Sequence, residues 1–132
     1  MNEAAPAFVL DASALLALLL DETGAERVLA ALPRGLVSAV NLSEVVAKLA
    51  ERGVPAAAIR TALAGSDLDV RPFDAEAAYV AGELRGQSRR YGLPFGDRAC
   101  LGLARTLGAV ALTADRAWVG ALEDGPEVEL LR

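Results

Sequence analysis

The chain has no histidine and a single cysteine, Cys100. Without histidine, Ser-His-Asp and Cys-His catalysis, imidazole acid–base pairs and the usual zinc sites are excluded. One cysteine allows no intrachain disulfide, which fits a reducing cytoplasm. Cys100 shares a helical face with Leu103, Ala104 and Leu107, so it reads as a buried structural thiol rather than a nucleophile. Aromatic residues are only 5% of the 132, too few for a platform on which single-stranded RNA stacks its bases. Basic residues are also outnumbered, 13 against 18 acids, for a formal net charge of −5. Such a chain gains nothing from general attraction to phosphate, so any nucleic-acid binding has to be local or metal-assisted. The apolar stretch from Ala12 to Leu20 is too short to span a bilayer. It follows Glu3 and Asp11 rather than a basic region, so it is not a signal peptide either.

What is present is hydrophobic patterning. Hydrophobic residues make up 54% of the chain, dominated by Ala and Leu, as closely packed helices require. The length fits one domain over residues 1–132 with a real core. Phe8-Val9-Leu10 reads as a buried strand that stops at Asp11, and Ser13 opens a Leu-rich helix behind it. Further strands are expected at Leu36–Val40, Leu68–Arg71, Ala109–Leu112 and Glu127–Leu131. Helices are expected from Thr23 to Leu32, Asn41 to Arg52, Ala56 to Ala64, Ala75 to Arg90, Arg98 to Leu107 and Asp115 to Leu122. Alternating strands and helices give an α/β fold with a mainly parallel central sheet of four or five strands.

Four acids fall at strand ends or helix openings: Asp11, Glu44, Asp97 and Asp115. Each has a local explanation. Asp11, Asp97 and Asp115 are good N-cap residues. Asn41-Leu42-Ser43-Glu44 has the form of a capping box, and Glu44 is one turn from Lys48. Their joint placement says more. The carboxyl ends of parallel strands share one edge, and that edge is where α/β folds gather chemistry. Asp11, Glu44 and Asp115 are driven there by topology. Whether Asp97 joins them depends on how the Gly92–Gly96 loop delivers its helix. Clustered carboxylates repel unless a cation compensates. Oxygen-only ligands point to Mg2+, or Mn2+, rather than zinc. Two such dipositive ions on a chain of net −5 leave −1, and such ions activate water and stabilise a phosphodiester under attack.

Four pieces carry a family resemblance: Val9-Leu10-Asp11-Ala12-Ser13-Ala14-Leu15, Asn41-Leu42-Ser43-Glu44-Val45, Phe95-Gly96-Asp97-Arg98-Ala99-Cys100-Leu101-Gly102-Leu103-Ala104 and Leu112-Thr113-Ala114-Asp115-Arg116-Ala117-Trp118. In order and spacing the chain resembles the PIN-domain ribonucleases, and within them the VapC toxins of type II toxin–antitoxin pairs. The resemblance implies a three-layer α/β/α fold and a Mg2+-dependent endoribonuclease acting on structured RNA. It implies that Asp11, Glu44, Asp97 and Asp115 form the metal and catalytic site, with Ser13 and Thr113 in support. It also implies a homodimer silenced by a cognate antitoxin protein.

Arg85, Arg89, Arg90, Arg98 and Arg116 are candidate RNA contacts near these acids. Each also has a plainer use, as helix-end charge or salt-bridge partner. Trp118, about one helical turn beyond Asp115, reads as core packing that fixes the Asp115 loop. Two competing functions remain at this point. One is a non-catalytic interaction module whose acids are only caps. The other is an aspartyl-phosphate phosphatase built on Asp11, which lacks the second Asp expected where Ser13 stands.

Overall fold

A computed structural model describes residues 7–87 and 92–132. In chain order its elements are β1 (Phe8–Leu10), α1 (Ala12–Leu19), α2 (Ala25–Ala31), β2 (Gly35–Ser38), α3 (Ala39–Glu51), α4 (Ala56–Gly65), β3 (Val70–Arg71), α5 (Ala75–Gln87), α6 (Phe95–Leu107), β4 (Val110–Thr113) and β5 (Val128–Leu130). The five strands form one sheet in the order β3-β2-β1-β4-β5, and every neighbouring pair is parallel.

The central strands are apolar throughout because both faces are covered. Val9 pairs with Leu36 on one side and Ala111 on the other. These three pack with Leu84 of α5 and Cys100, Leu101 and Ala104 of α6. One residue further along, the pleat turns Leu10, Val37 and Leu112 to the opposite face, against Ala14, Leu15, Val28, Val45, Leu49 and Ile59 of α1 to α4. The result is the expected three-layer α/β/α arrangement. Each fully buried Val or Leu contributes about 1.5–3 kcal/mol, which explains how strands of three or four residues suffice.

Several boundaries differ from the sequence expectation, each for a local reason. Ser38, not Asn41, caps α3: its hydroxyl accepts the Val40 N–H at 3.2 Å. β2 therefore ends two residues early, and Asn41 lies inside the first turn of α3 rather than in a capping box. Pro94 is the N-cap of α6, so Asp97 stands in the first helical turn instead of capping it. Gly24, at φ +99°, starts α2 in place of Thr23; its missing side chain lets Leu131 pack where a Cβ would lie. After Asp115 the chain makes only a 3-10 turn, Arg116–Trp118, because Gly120 at φ +74° turns it away. β3 shrinks to two residues, and β4 shifts one residue on so that Thr113 is its last.

Candidate acidic active site

The chain leaves β1 toward β2 on one side, while β4 lies on the other. The carboxyl ends of β1 and β4 thus flank a topological switch point, the place where open α/β sheets bind ligands. Asp11 follows β1 directly and is buried. Its Oδ1 accepts from the Ser13 hydroxyl at 2.7 Å and from the Ala14 N–H at 2.9 Å, capping α1. Its Oδ2 accepts from the Thr113 hydroxyl at 2.7 Å. Those hydroxyls in turn accept the Ala114 and Asp115 N–H groups at 2.9 and 3.0 Å. Ser13 and Thr113 therefore knot the end of β1 to the end of β4 and fix Asp11 in orientation. Burial raises the Asp11 carboxyl above its ordinary value; these hydrogen bonds oppose the rise, and the Glu44 charge adds to it.

Asp97 enters from the opposite layer, on the first turn of α6. The Trp118 indole N–H donates to its Oδ2 at 3.1 Å. Trp118 is itself buried in the core, so it anchors the turn after Asp115 and holds Asp97 at once. Partial burial pushes the Asp97 carboxyl up to about 6, and the charges of Asp11, Asp115 and Glu44 push it the same way. All three act on Asp97, so folding has gathered the four carboxylates within electrostatic reach of one another.

Glu44 and Asp115 form the exposed side of this group. Asp115 Oδ1 accepts the Ala117 N–H at 2.9 Å. Glu44 Oε1 accepts from the Asn41 amide at 2.8 Å rather than pairing with Lys48. Among the described residues no Lys or Arg forms an ion pair with any of the four acids. An oxygen-only set with no basic partner among the described residues suits a hard divalent cation. Among the described residues, no three acidic, histidine or cysteine side chains stand close enough together to hold a metal ion as they are placed, so the acids are neighbours rather than a formed coordination shell.

The basic candidates separate. Arg98 donates to the carbonyls of Leu93 at 3.1 Å and Ala81 at 2.9 Å, bracing α5 against the start of α6. Arg85 and Arg116 are exposed. Arg89 and Arg90 lie outside the described residues. Cys100 is fully buried, and burial together with the nearby carboxylates pushes its thiol well above the ordinary range. A cavity of about 800 Å³ lies between α3 and α4, and none of the four acids lines it. Sequence reasoning paired Asn41 with Glu44 only as a capping box, and missed the Asn41 amide as a donor to the Glu44 carboxylate and the Trp118 N–H as a partner of Asp97. The available signal was an Asn one helical turn before an acid, at a position that faces the core.

A family model described as "PIN domain" matches residues 8–120. No curated protein matches by sequence. Among solved structures, the chain is similar to one in a toxin–antitoxin complex from Klebsiella pneumoniae, at 20% identity over 98% of each chain and a TM-score of 0.72. It is similar to a chain of DNA-bound VapBC from Salmonella typhimurium, at 23% identity over 96% of this chain and 98% of that one, TM-score 0.72. A chain of VapBC2 from Rickettsia felis, bound to a promoter DNA fragment, matches at 16% identity over 93% and 97%, TM-score 0.71. At these identities the likeness is one of fold.

Proposed function

Because the chain belongs to the PIN-domain family, we propose that it is a metal-dependent endoribonuclease of the VapC type that cuts structured RNA. The observation that carries this reading is the meeting of Asp11, Glu44, Asp97 and Asp115 at one end of the sheet, from four separate parts of the chain. Asp97, Asp11 and Asp115, with Glu44 beside them, would hold Mg2+ or Mn2+. When bound, such an ion supplies charge stabilisation at the scissile phosphate and acidifies a water.

The protein's own groups do the rest. Ser13, Thr113 and the Ala14 N–H hold Asp11 in a single orientation. Trp118 does the same for Asp97. Glu44, at the exposed side, takes a proton from the attacking water as the new P–O bond forms. The bond from phosphorus to the 3′ oxygen breaks, and that oxygen takes a proton from solvent. The products carry 5′-phosphate and 3′-hydroxyl ends.

The solved structures similar in fold are toxin–antitoxin and VapBC complexes, which supports an antitoxin protein as partner. A homodimer and a cytoplasmic location belong to the same reading; among the described residues no helix is long and apolar enough to cross a membrane. Purified protein incubated with total RNA and Mg2+ should give discrete fragments with those ends, and Asp97→Asn should give none. No cleavage by the wild type, or equal cleavage by the variant, ends the proposal.

A second reading, a non-catalytic interaction module, draws on the capping roles of Asp11 and Asp115. It requires that Mn2+ titrated into the protein give no saturable heat. The phosphatase reading has less support, because both Asp11 oxygens already accept hydrogen bonds in a buried position.

A further inference from the structure

Asn41 is nearly fully buried in the first turn of α3, at 1% exposure. Both protons of its amide are committed. One goes to Glu44 Oε1 at 2.8 Å, the other to the Gly96 carbonyl at 3.0 Å. Gly96 immediately precedes Asp97, so this one side chain bridges the helix that carries Glu44 and the helix that carries Asp97. The fit is close on the other side as well. A Cβ built on Gly96 would lie 2.6 Å from Glu44 Cδ, inside the carboxylate. Glu44 is therefore pressed against the bare backbone of α6 and tied there by the Asn41 amide.

The remaining atom of Asn41 makes the arrangement informative. Oδ1 is buried and has no hydrogen-bond partner. A buried acceptor left alone is a cost to the fold. Turning the amide over does not relieve it, because the oxygen would then face a carboxylate and a carbonyl. A leucine, which has the same branched outline and no polar atom, would leave no acceptor of its own unpaired, so hydrogen bonding for stability alone does not account for an asparagine here.

From this we infer that Asn41 is a positioning residue, which clamps the Glu44 carboxylate against the first turn of α6 and so fixes Glu44 relative to Asp97. The clamp itself stands on geometry; its consequence for cleavage rests on the nuclease reading.

The test uses the full chain and two kinds of readout. In a 15N spectrum of the wild type, the Asn41 side-chain amide protons should be protected from exchange. Glu44→Ala should abolish the protection of at least one of them while the melting temperature stays near that of the wild type. Asn41→Leu should fold, with a melting temperature equal to or above the wild type's, yet cleave RNA roughly 10- to 100-fold more slowly, with the loss in kcat rather than KM. Gly96→Ala, whose Cβ would displace the Glu44 carboxylate from the Asn41 amide while the asparagine itself is kept, should reproduce that loss if Asn41→Leu folds poorly. Amide protection indifferent to Glu44→Ala overturns the clamp. Wild-type cleavage by folded Asn41→Leu or by Gly96→Ala overturns the positioning role. If the wild type itself cuts no RNA, the nuclease reading falls and the amide exchange alone decides the clamp.

Discussion

Replacing Asp97 by Asn should make the metal-free protein more stable while destroying its activity. The Asp97 carboxyl is pushed from 3.8 to about 6 by burial and by Asp11, Asp115 and Glu44. An acid raised in the folded state binds its proton more tightly there than in the unfolded chain. The folded state is therefore favoured below about pH 4, loses that advantage between about pH 4 and 6, and gains nothing further above it. For a fully buried group the rise would correspond to about 3 kcal/mol. Asp97 is only partly buried, and solvent screening reduces this to about 1–2 kcal/mol. Asparagine keeps an oxygen for the Trp118 N–H and removes the charge. For a domain of this size the gain is about 5 °C in melting temperature near pH 8 in EDTA. The gap between variant and wild type should close as the pH falls toward 4. Adding Mn2+ should raise the wild type more than the variant, because only an intact carboxylate set rewards the ion. A variant no more stable than the wild type at pH 8, or one whose advantage persists undiminished at pH 4, refutes the reasoning.

Thr113→Val preserves shape but removes the hydroxyl that donates to Asp11 Oδ2 and accepts from the Asp115 N–H; it should cost about 1–3 kcal/mol in denaturant melts and reduce cleavage with the fold intact. The fluorescence of Trp118, the only tryptophan, should titrate with a midpoint near pH 6 as its partner Asp97 ionises, and Asp97→Asn should erase that titration. Cys100 should resist iodoacetamide in the native protein and react once unfolded, because its thiol is both buried and pushed up in pKa; rapid native alkylation would show that α6 opens readily.

The parts of the fold that sequence reveals are those set by burial on both faces. Phe8–Leu10, Gly35–Ser38 and Val110–Thr113 are apolar runs too short for helices, and the helical segments between them leave a parallel sheet as the arrangement that covers them. That topology also brings Asp11 and Asp115 to one edge before any coordinate is known. What stays hidden depends on contacts between residues far apart in the chain. Asp97 is legible as an acid at a helix opening, but its place beside Asp11 is decided by Pro94 starting α6 early and by Trp118 reaching back to it. Asn41 shows the same gap more sharply. Locally, Asn-x-x-Glu reads as a capping box, and only the competing cap residue Ser38, three positions earlier, speaks against it. Ser38 takes the cap instead, which frees the Asn41 amide to grip a carbonyl 55 residues away. A motif that satisfies a local rule can thus conceal a tertiary one. Here the clue is the acceptor left without a partner, since a cap placed for helix stability alone would leave its oxygen bonded.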